Sequence, residues 1–327
     1  MPNQRRVIVD TDTAGDDTQA IMMAALAERI SLEGVTIVVG NVDFEYQVEN
    51  AKYTLAVAGV EDDVSVYEGV SSPLMKEYKT ADYVHGEYGL GKDLKPDTGI
   101  PSADEHAVDY IVRMARENPG EITLVCIGPL TNVALALQRE PDLNELLDDV
   151  WFMGGNANDI GNVTPASSYN IWVDPDAAKI AIDALEMTTV GVEVCYTRRL
   201  DSTLDEDDLG RIEEAAADSP YAEFYLHLVP TNKEWAQTMY NFDGTTNPDT
   251  LTMATLLDPS VILESGRYYM EIDEREGLTR GYSLVDEYGV LDEEPNTRVI
   301  KKADHQHFKQ IFLDMLIHGD PERSLSE

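Results

Sequence analysis

Read for its apolar and polar positions, the chain breaks into short β-rich runs separated by amphipathic stretches. Strands are predicted over Arg6–Asp10, Leu32–Val39, Val64–Tyr67, Thr123–Ile127, Val150–Met153 and Thr188–Val192. Helices are predicted between them, over Thr18–Arg29, Phe44–Ala58, Ala103–Asn118, Asn132–Gln138 and Pro175–Leu185. The strands read as near-continuous apolar runs, the pattern of strands covered on both faces. Strand–helix alternation repeated this often predicts an α/β fold: a mostly parallel central sheet flanked by helices, in a Rossmann-like open arrangement. Ligands of such sheets sit beyond the carboxyl ends of the strands, so polar residues just after strands are the candidates for chemistry.

The last third changes character. Leu204-Asp-Glu-Asp-Asp-Leu starts like a capped helix, with its acids where the helix dipole favours them. A second helix is predicted over Pro220–Met239, followed by strand-like Tyr268–Ile272 and Thr297–Ile300 and a closing helix, His305–Ile317. No repeat, low-complexity tract or linker interrupts the 327 residues. A single domain spanning 1–327 is expected, with the long segments near 70–100 and 220–248 as candidate flaps over a site.

Composition narrows the partners. Hydrophobic residues make up 43% of the chain, enough for a sizeable core, while 24 Lys and Arg face 62 Asp and Glu for a net charge of −38. A nucleic-acid backbone would be repelled, and so would an anionic membrane surface. The acid excess serves colloidal solubility, or it suits a salt-saturated interior where screening cancels the self-repulsion. The second, halophilic reading predicts stability that depends on salt. The two cysteines, Cys126 and Cys195, lie inside apolar runs and are expected to be buried, inert thiols. Residues Met1–Arg6 leave no room for a signal peptide, and no apolar run reaches the roughly 18 residues of a membrane span. A soluble, cytoplasmic protein is expected.

The densest chemical signal is Val7-Ile-Val-Asp10-Thr-Asp12-Thr-Ala-Gly15-Asp16-Asp17, four carboxylates within eight residues where the first strand hands over to the first helix. Uncompensated burial of that much charge is very costly. The carboxylates must be solvated or paired with a cation, and a hard divalent ion with oxygen ligands is the natural partner. Further marks follow in order: Val38-Val-Gly-Asn41, His85-Gly-Glu-Tyr-Gly-Leu-Gly91, Ile127-Gly-Pro-Leu-Thr-Asn132, Met153-Gly-Gly155, Asn170-Ile-Trp-Val-Asp-Pro-Asp-Ala-Ala178, and Asp249 ahead of Leu251–Leu257 and Asp258-Pro259.

In these marks and their order the sequence resembles the inosine–uridine-type nucleoside hydrolases, over nearly its whole length. The resemblance implies calcium-dependent hydrolysis of the N-glycosidic bond of a small-molecule ribonucleoside, giving ribose and free base. It implies that Asp12, Asp17, Asp249 and the backbone carbonyl of Ile127 hold a Ca²⁺ ion, with Asp12 also the general base. Asp16, Asn41 and Asn170 would then bond the ribose hydroxyls, with Met153 under the sugar, Asn162 near its 5′ end and Asp10 supporting the Asp12 region from beneath. His85 lies in the matching glycine-rich loop as a further substrate-binding candidate. A homodimer or homotetramer is implied by resemblance alone.

Two departures bear on the substrate. The family's Glu-Phe-Asn is Ser168-Tyr169-Asn170 here, so a carboxylate expected near the ribose 5′-hydroxyl is replaced by a neutral hydroxyl. Where many members carry a histidine before the calcium-binding Asp, this chain has Pro248, which has no proton to give a leaving base. Candidate replacements are His85, Tyr221, Tyr225, His227, Trp235 and Tyr240. These departures keep two alternatives open, a hydrolase for a modified riboside and a ribose-binding protein without turnover.

Overall fold

The computed structural model describes residues 4–195, 204–241 and 243–326. Its strands are β1 (Arg5–Thr11), β2 (Ile30–Ile37), β3 (Val66–Glu68), β4 (Ile122–Cys126), β5 (Asp149–Met153), β6 (Met187–Val190), β7 (Ile262–Ile272), β8 (Ser283–Asp286) and β9 (Thr297–Ala303). The helices are α1 (Asp17–Leu26), α2 (Phe44–Ala58), α3 (Asp82–His85), α4 (Ala107–Glu117), α5 (Thr131–Arg139), α6 (Leu143–Leu146) and α7 (Tyr169–Val173). After these come α8 (Pro175–Ala184), α9 (Val192–Cys195), α10 (Glu206–Ala215), α11 (Pro220–Tyr240), α12 (Pro248–Leu257) and α13 (His305–His318).

One sheet runs in the order β3-β2-β1-β4-β5-β6-β9-β7-β8. Every pairing from β3 to β9 is parallel, and β7 and β8 close the far edge antiparallel. The strand order reverses between β1 and β4, and a crevice opens at such a switch point beyond the carboxyl ends. Alternate residues of the inner strands feed two separate cores: Val7, Val9 and Val125 face one, Ile8, Leu124 and Cys126 the other. Burial on both faces explains why these strands read as continuous apolar runs.

The predicted helix over Phe44–Ala58 has those limits in the structure. Helix α4 starts four residues later than expected, where His106 accepts a hydrogen bond from the Val108 N–H at 3.2 Å and caps it. Strand β7 begins six residues before Tyr268, because its first half is largely exposed and lacks an apolar signature. Helix α12 gave no amphipathic signal because all ten of its residues are buried. It packs against α1, likewise almost wholly buried. Both cysteines are buried. Among the described residues, no helix is long and apolar enough to cross a membrane.

Candidate active site

After β1 the chain turns through Thr13-Ala-Gly15 into α1. Gly15 takes φ +51°, and a Cβ there would fall 2.3 Å from His85 Nδ1, so the turn requires glycine. Just past β2, Gly40 leaves room for Asp12: a Cβ there would fall 1.9 Å from Asp12 Oδ2. Next to it the Asn41 N–H donates to Asp12 Oδ2 at 3.0 Å, and Asn41 Nδ2 donates to Asp17 Oδ2 at 3.2 Å. Asp17 also accepts from the Thr11 hydroxyl at 2.6 Å and from the Ala14 N–H at 3.2 Å. Asp12 Oδ1 is buried and has no hydrogen-bond partner among the described residues.

Asp249, on the first turn of α12, joins this group from the other end of the chain. Its N–H donates to Asp16 Oδ2 at 2.8 Å, across a sequence separation of 233 residues. Asp16 is itself the N-cap of α1, so the amino ends of two helices meet at the acidic cluster and favour its negative charge. Desolvation dominates nonetheless and lifts Asp12, Asp16, Asp17 and Asp249 above the usual carboxylate range, with repulsion between neighbours adding to it at Asp12, Asp16 and Asp249. Beneath them burial pushes Asp10 up to about 7, although its Oδ1 accepts from Thr36 at 2.6 Å and Asn132 at 2.8 Å.

A pocket opens in front of the cluster. Of the residues singled out in the sequence, Asp16, Asn41, His85, Ile127, Met153, Asn162, Ser168, Asn170 and Asp249 line it. Asp10, Asp12 and Asp17 are fully buried and lie outside the lining. Several polar groups expected to meet a ligand are already engaged. Asn170 Nδ2 donates to the carbonyls of Ile127 at 2.8 Å and Met153 at 2.9 Å, Asn162 Oδ1 accepts the Tyr169 N–H at 2.8 Å, and Ser168 Oγ accepts the Gly155 N–H at 2.9 Å.

The facing wall comes from α3 and α11. It brings in Trp235 together with Tyr83, which the sequence reading passed over; their rings meet edge-on at 5.5 Å. Leu228, Thr231 and Asn232 of α11 also line the pocket and were equally missed, because a mixed helix gives no sign of which polar residue turns inward. Of the candidates for leaving-group contact, His85 and Trp235 reach the pocket, and Pro248 lines it too. Tyr221, Tyr225 and His227 are not among its lining residues; Tyr225 is buried, with its hydroxyl 2.7 Å from Thr245 Oγ1. The Tyr240 side chain lies outside the described residues. Desolvation pushes His85 down to about 4, so its imidazole is neutral at neutral pH.

Among the described residues, no three His, Cys, Asp or Glu side chains stand arranged around a metal position. The donor chemistry nevertheless fits a hard cation. The site crowds buried carboxylates whose charged forms desolvation and mutual repulsion disfavour, and among the described residues Asp12 Oδ1 has no hydrogen-bond partner. The Ile127 carbonyl, engaged by Asn170, keeps a second lone pair.

A parallel α/β sheet with a carboxylate-floored pocket at its switch point defines an α/β enzyme with an acidic small-molecule site. Residues 7–310 match the family model of inosine-uridine preferring nucleoside hydrolases. A pyrimidine-specific ribonucleoside hydrolase from Photobacterium profundum is 31% identical over 317 residues, covering 95% of this chain and 98% of that relative. A solved plant nucleoside hydrolase superimposes with a TM-score of 0.89 at 27% identity, over 96% of this chain and 99% of its own. A purine-preferring ribonucleoside hydrolase from Gardnerella vaginalis superimposes with a TM-score of 0.86 at 28% identity, over 95% and 98%. The chain belongs to the inosine-uridine preferring nucleoside hydrolase family. It is an N-glycosyl hydrolase acting on ribonucleosides.

Proposed function

We propose that the enzyme is a calcium-dependent ribonucleoside N-ribohydrolase in which Asp12 is the general base. The observation that carries this reading is the meeting of Asp249 with Asp16, beside Asp12 and Asp17, at the carboxyl end of β1. Asp12, Asp17, Asp249 and the Ile127 carbonyl would hold the ion. When bound, calcium would supply positive charge that makes a water easier to deprotonate and grips the ribose diol.

The chain's own groups do the rest. Asp12, whose Oδ1 has no competing hydrogen bond among the described residues, takes a proton from the attacking water. The water oxygen bonds to C1′ as the bond from C1′ to the base nitrogen breaks, and the base departs with that electron pair. Positive charge developing on the ribose is stabilised by the surrounding carboxylates. Asp16, together with the free Oδ1 atoms of Asn41 and Asn170, orients the sugar hydroxyls, and Met153 packs under the ring. Trp235 and Tyr83 wall the base side. His85, kept neutral by desolvation, can offer the base a hydrogen bond, and the departing base takes up a proton from solvent.

Ribose release from a panel of purine and pyrimidine nucleosides, in molar salt with and without chelator, tests the reading. Asp12→Asn is expected to lower turnover by roughly 10²–10⁴ while the fold survives. Near-normal release by that variant overturns the role given to Asp12. Ser168 supports a second reading. Its hydroxyl is neutral and accepts the Gly155 N–H, so it offers the 5′ position no charge, which suits ribosides altered there. Activity confined to such substrates would select it, and saturable nucleoside binding without ribose release would select the binding-protein alternative. The halophilic, cytoplasmic and oligomeric assignments belong to the same proposal, as does a single domain.

A further inference from the structure

Asn232 lines the pocket, yet its carboxamide is turned away from any ligand and onto the protein. Its Nδ2 donates to the Thr246 carbonyl at 2.7 Å, and its Oδ1 accepts the Thr246 N–H at 2.8 Å. One side chain thereby satisfies both backbone groups of a single loop residue. About two turns earlier on the same helix, the Tyr225 hydroxyl lies 2.7 Å from Thr245 Oγ1 and donates to Asn247 Oδ1 at 3.2 Å. The three residues before Pro248 are therefore held, one after another, from α11.

Asp249 follows directly, and its N–H is the one that reaches Asp16. The pocket face of α11 also carries Leu228, Thr231 and Trp235. Pro230 sits inside this stretch without an N–H for the Leu226 carbonyl, so the helix lacks a rung just before Asn232. The tie from Asn232 to Thr246 falls just past that missing rung.

We propose that Asn232 is a positioning residue that ties the aromatic wall of the pocket to the Asp249 carboxylate. The wall that meets the base and the carboxylate that meets the sugar are then registered to each other through one amide. Assigning those two sides rests on the proposed function above; the tie itself rests on the hydrogen bonds.

The test compares Asn232→Ala with Trp235→Ala in the full chain. Trp235 lies on the same face and makes none of the hydrogen bonds to residues 245–247. Three readouts are taken: amide hydrogen exchange over 245–249, calorimetric titration with calcium chloride alone, and the split of kcat from KM for ribose release from inosine and uridine. Asn232→Ala is expected to lose exchange protection over 245–249. Its calcium affinity and kcat should each fall about tenfold, the scale expected when the two partly buried hydrogen bonds to Thr246 are lost together. Trp235→Ala is expected to raise KM with exchange and calcium affinity unchanged. Asn232→Asp keeps the acceptor for the Thr246 N–H and should recover part of the protection. An Asn232→Ala enzyme with wild-type exchange and kcat overturns the proposal, as does one changed only in KM or melting temperature. If the wild type binds no calcium or releases no ribose, the proposed function fails instead, and the exchange contrast between the variants still decides the positioning role.

Discussion

The two sides of the pocket are held by different means. Behind one side, Asp10, Asp12 and Asp17 are 0% exposed, packed where β1 gives way to α1 and fixed by contacts from Thr11, Thr36, Asn41 and Asn132. On the other, Tyr83 is 58% exposed and meets Trp235 edge-on, with α3 and α11 presenting them from outside the sheet. The carboxylate side tolerates little displacement, because each buried charge depends on a particular neighbour for its hydrogen bonds. The aromatic side depends mainly on contact area, so it can vary without disturbing the acids. Relatives with this fold carry different base preferences in their names, pyrimidine-specific in one and purine-preferring in another. Under the proposed function that range is expected, since the fixed half would handle the sugar common to all of these substrates.

The largest effect that would test this contrast comes from Gly40→Ala. The new Cβ falls on Asp12 Oδ2, and ribose release should drop at least about a hundredfold, as misplacement of a reacting group by an ångström does. Wild-type turnover in that variant would mean the carboxylate side is not rigid. Salt separates buried from exposed acids. With a net charge of −38, the melting temperature should rise by at least several degrees between low salt and molar KCl, because screening acts on surface carboxylates and leaves the buried ones alone. Equal melting in both would remove the halophilic reading.

Tyr83→Ala should raise KM by about two- to tenfold with kcat little changed, the worth of one aromatic contact. A fall in kcat alone would place Tyr83 with the chemistry instead. The smallest effect lies away from the pocket. Asp258 is partly desolvated, but a 2.7 Å contact with His307 and bonds from Ser260 hold its carboxyl below the usual range. Its contribution is therefore present above the unfolded-state value and lost as pH falls through the lower folded one. Asp258→Asn should cost about 0.2–1 kcal/mol near neutral pH, and the gap to wild type should close on acidification below about pH 4. A gap that widens on acidification would reverse the sign of that interaction.

Much of the fold was legible because it depends on local pattern. The inner strands announced themselves as apolar runs, α2 by its amphipathic period, and the acidic turn after β1 by charge no core accepts unpaired. The resemblance of scattered motifs then named the family. Other features left no local trace. Helix α12 is buried all round, so no polar stripe marked it as a helix. Tyr83 and Asn232 face the pocket only because α3 and α11 lie across its mouth.

Residue order alone supplied the inventory: every strand of the sheet but β8, which carried no signal of its own, and the four acids clustered after the first strand. Which of those groups stay available follows from how the elements pack. That packing turned the amides of Asn41 and Asn170 inward onto carboxylate and carbonyl oxygens, engaged Asn232 with Thr246, and among the described residues left Asp12 Oδ1 without a partner. A hydrogen bond consumes a donor in one direction at one distance, and that direction is set by how elements far apart in the chain pack, which no local stretch of residues reveals.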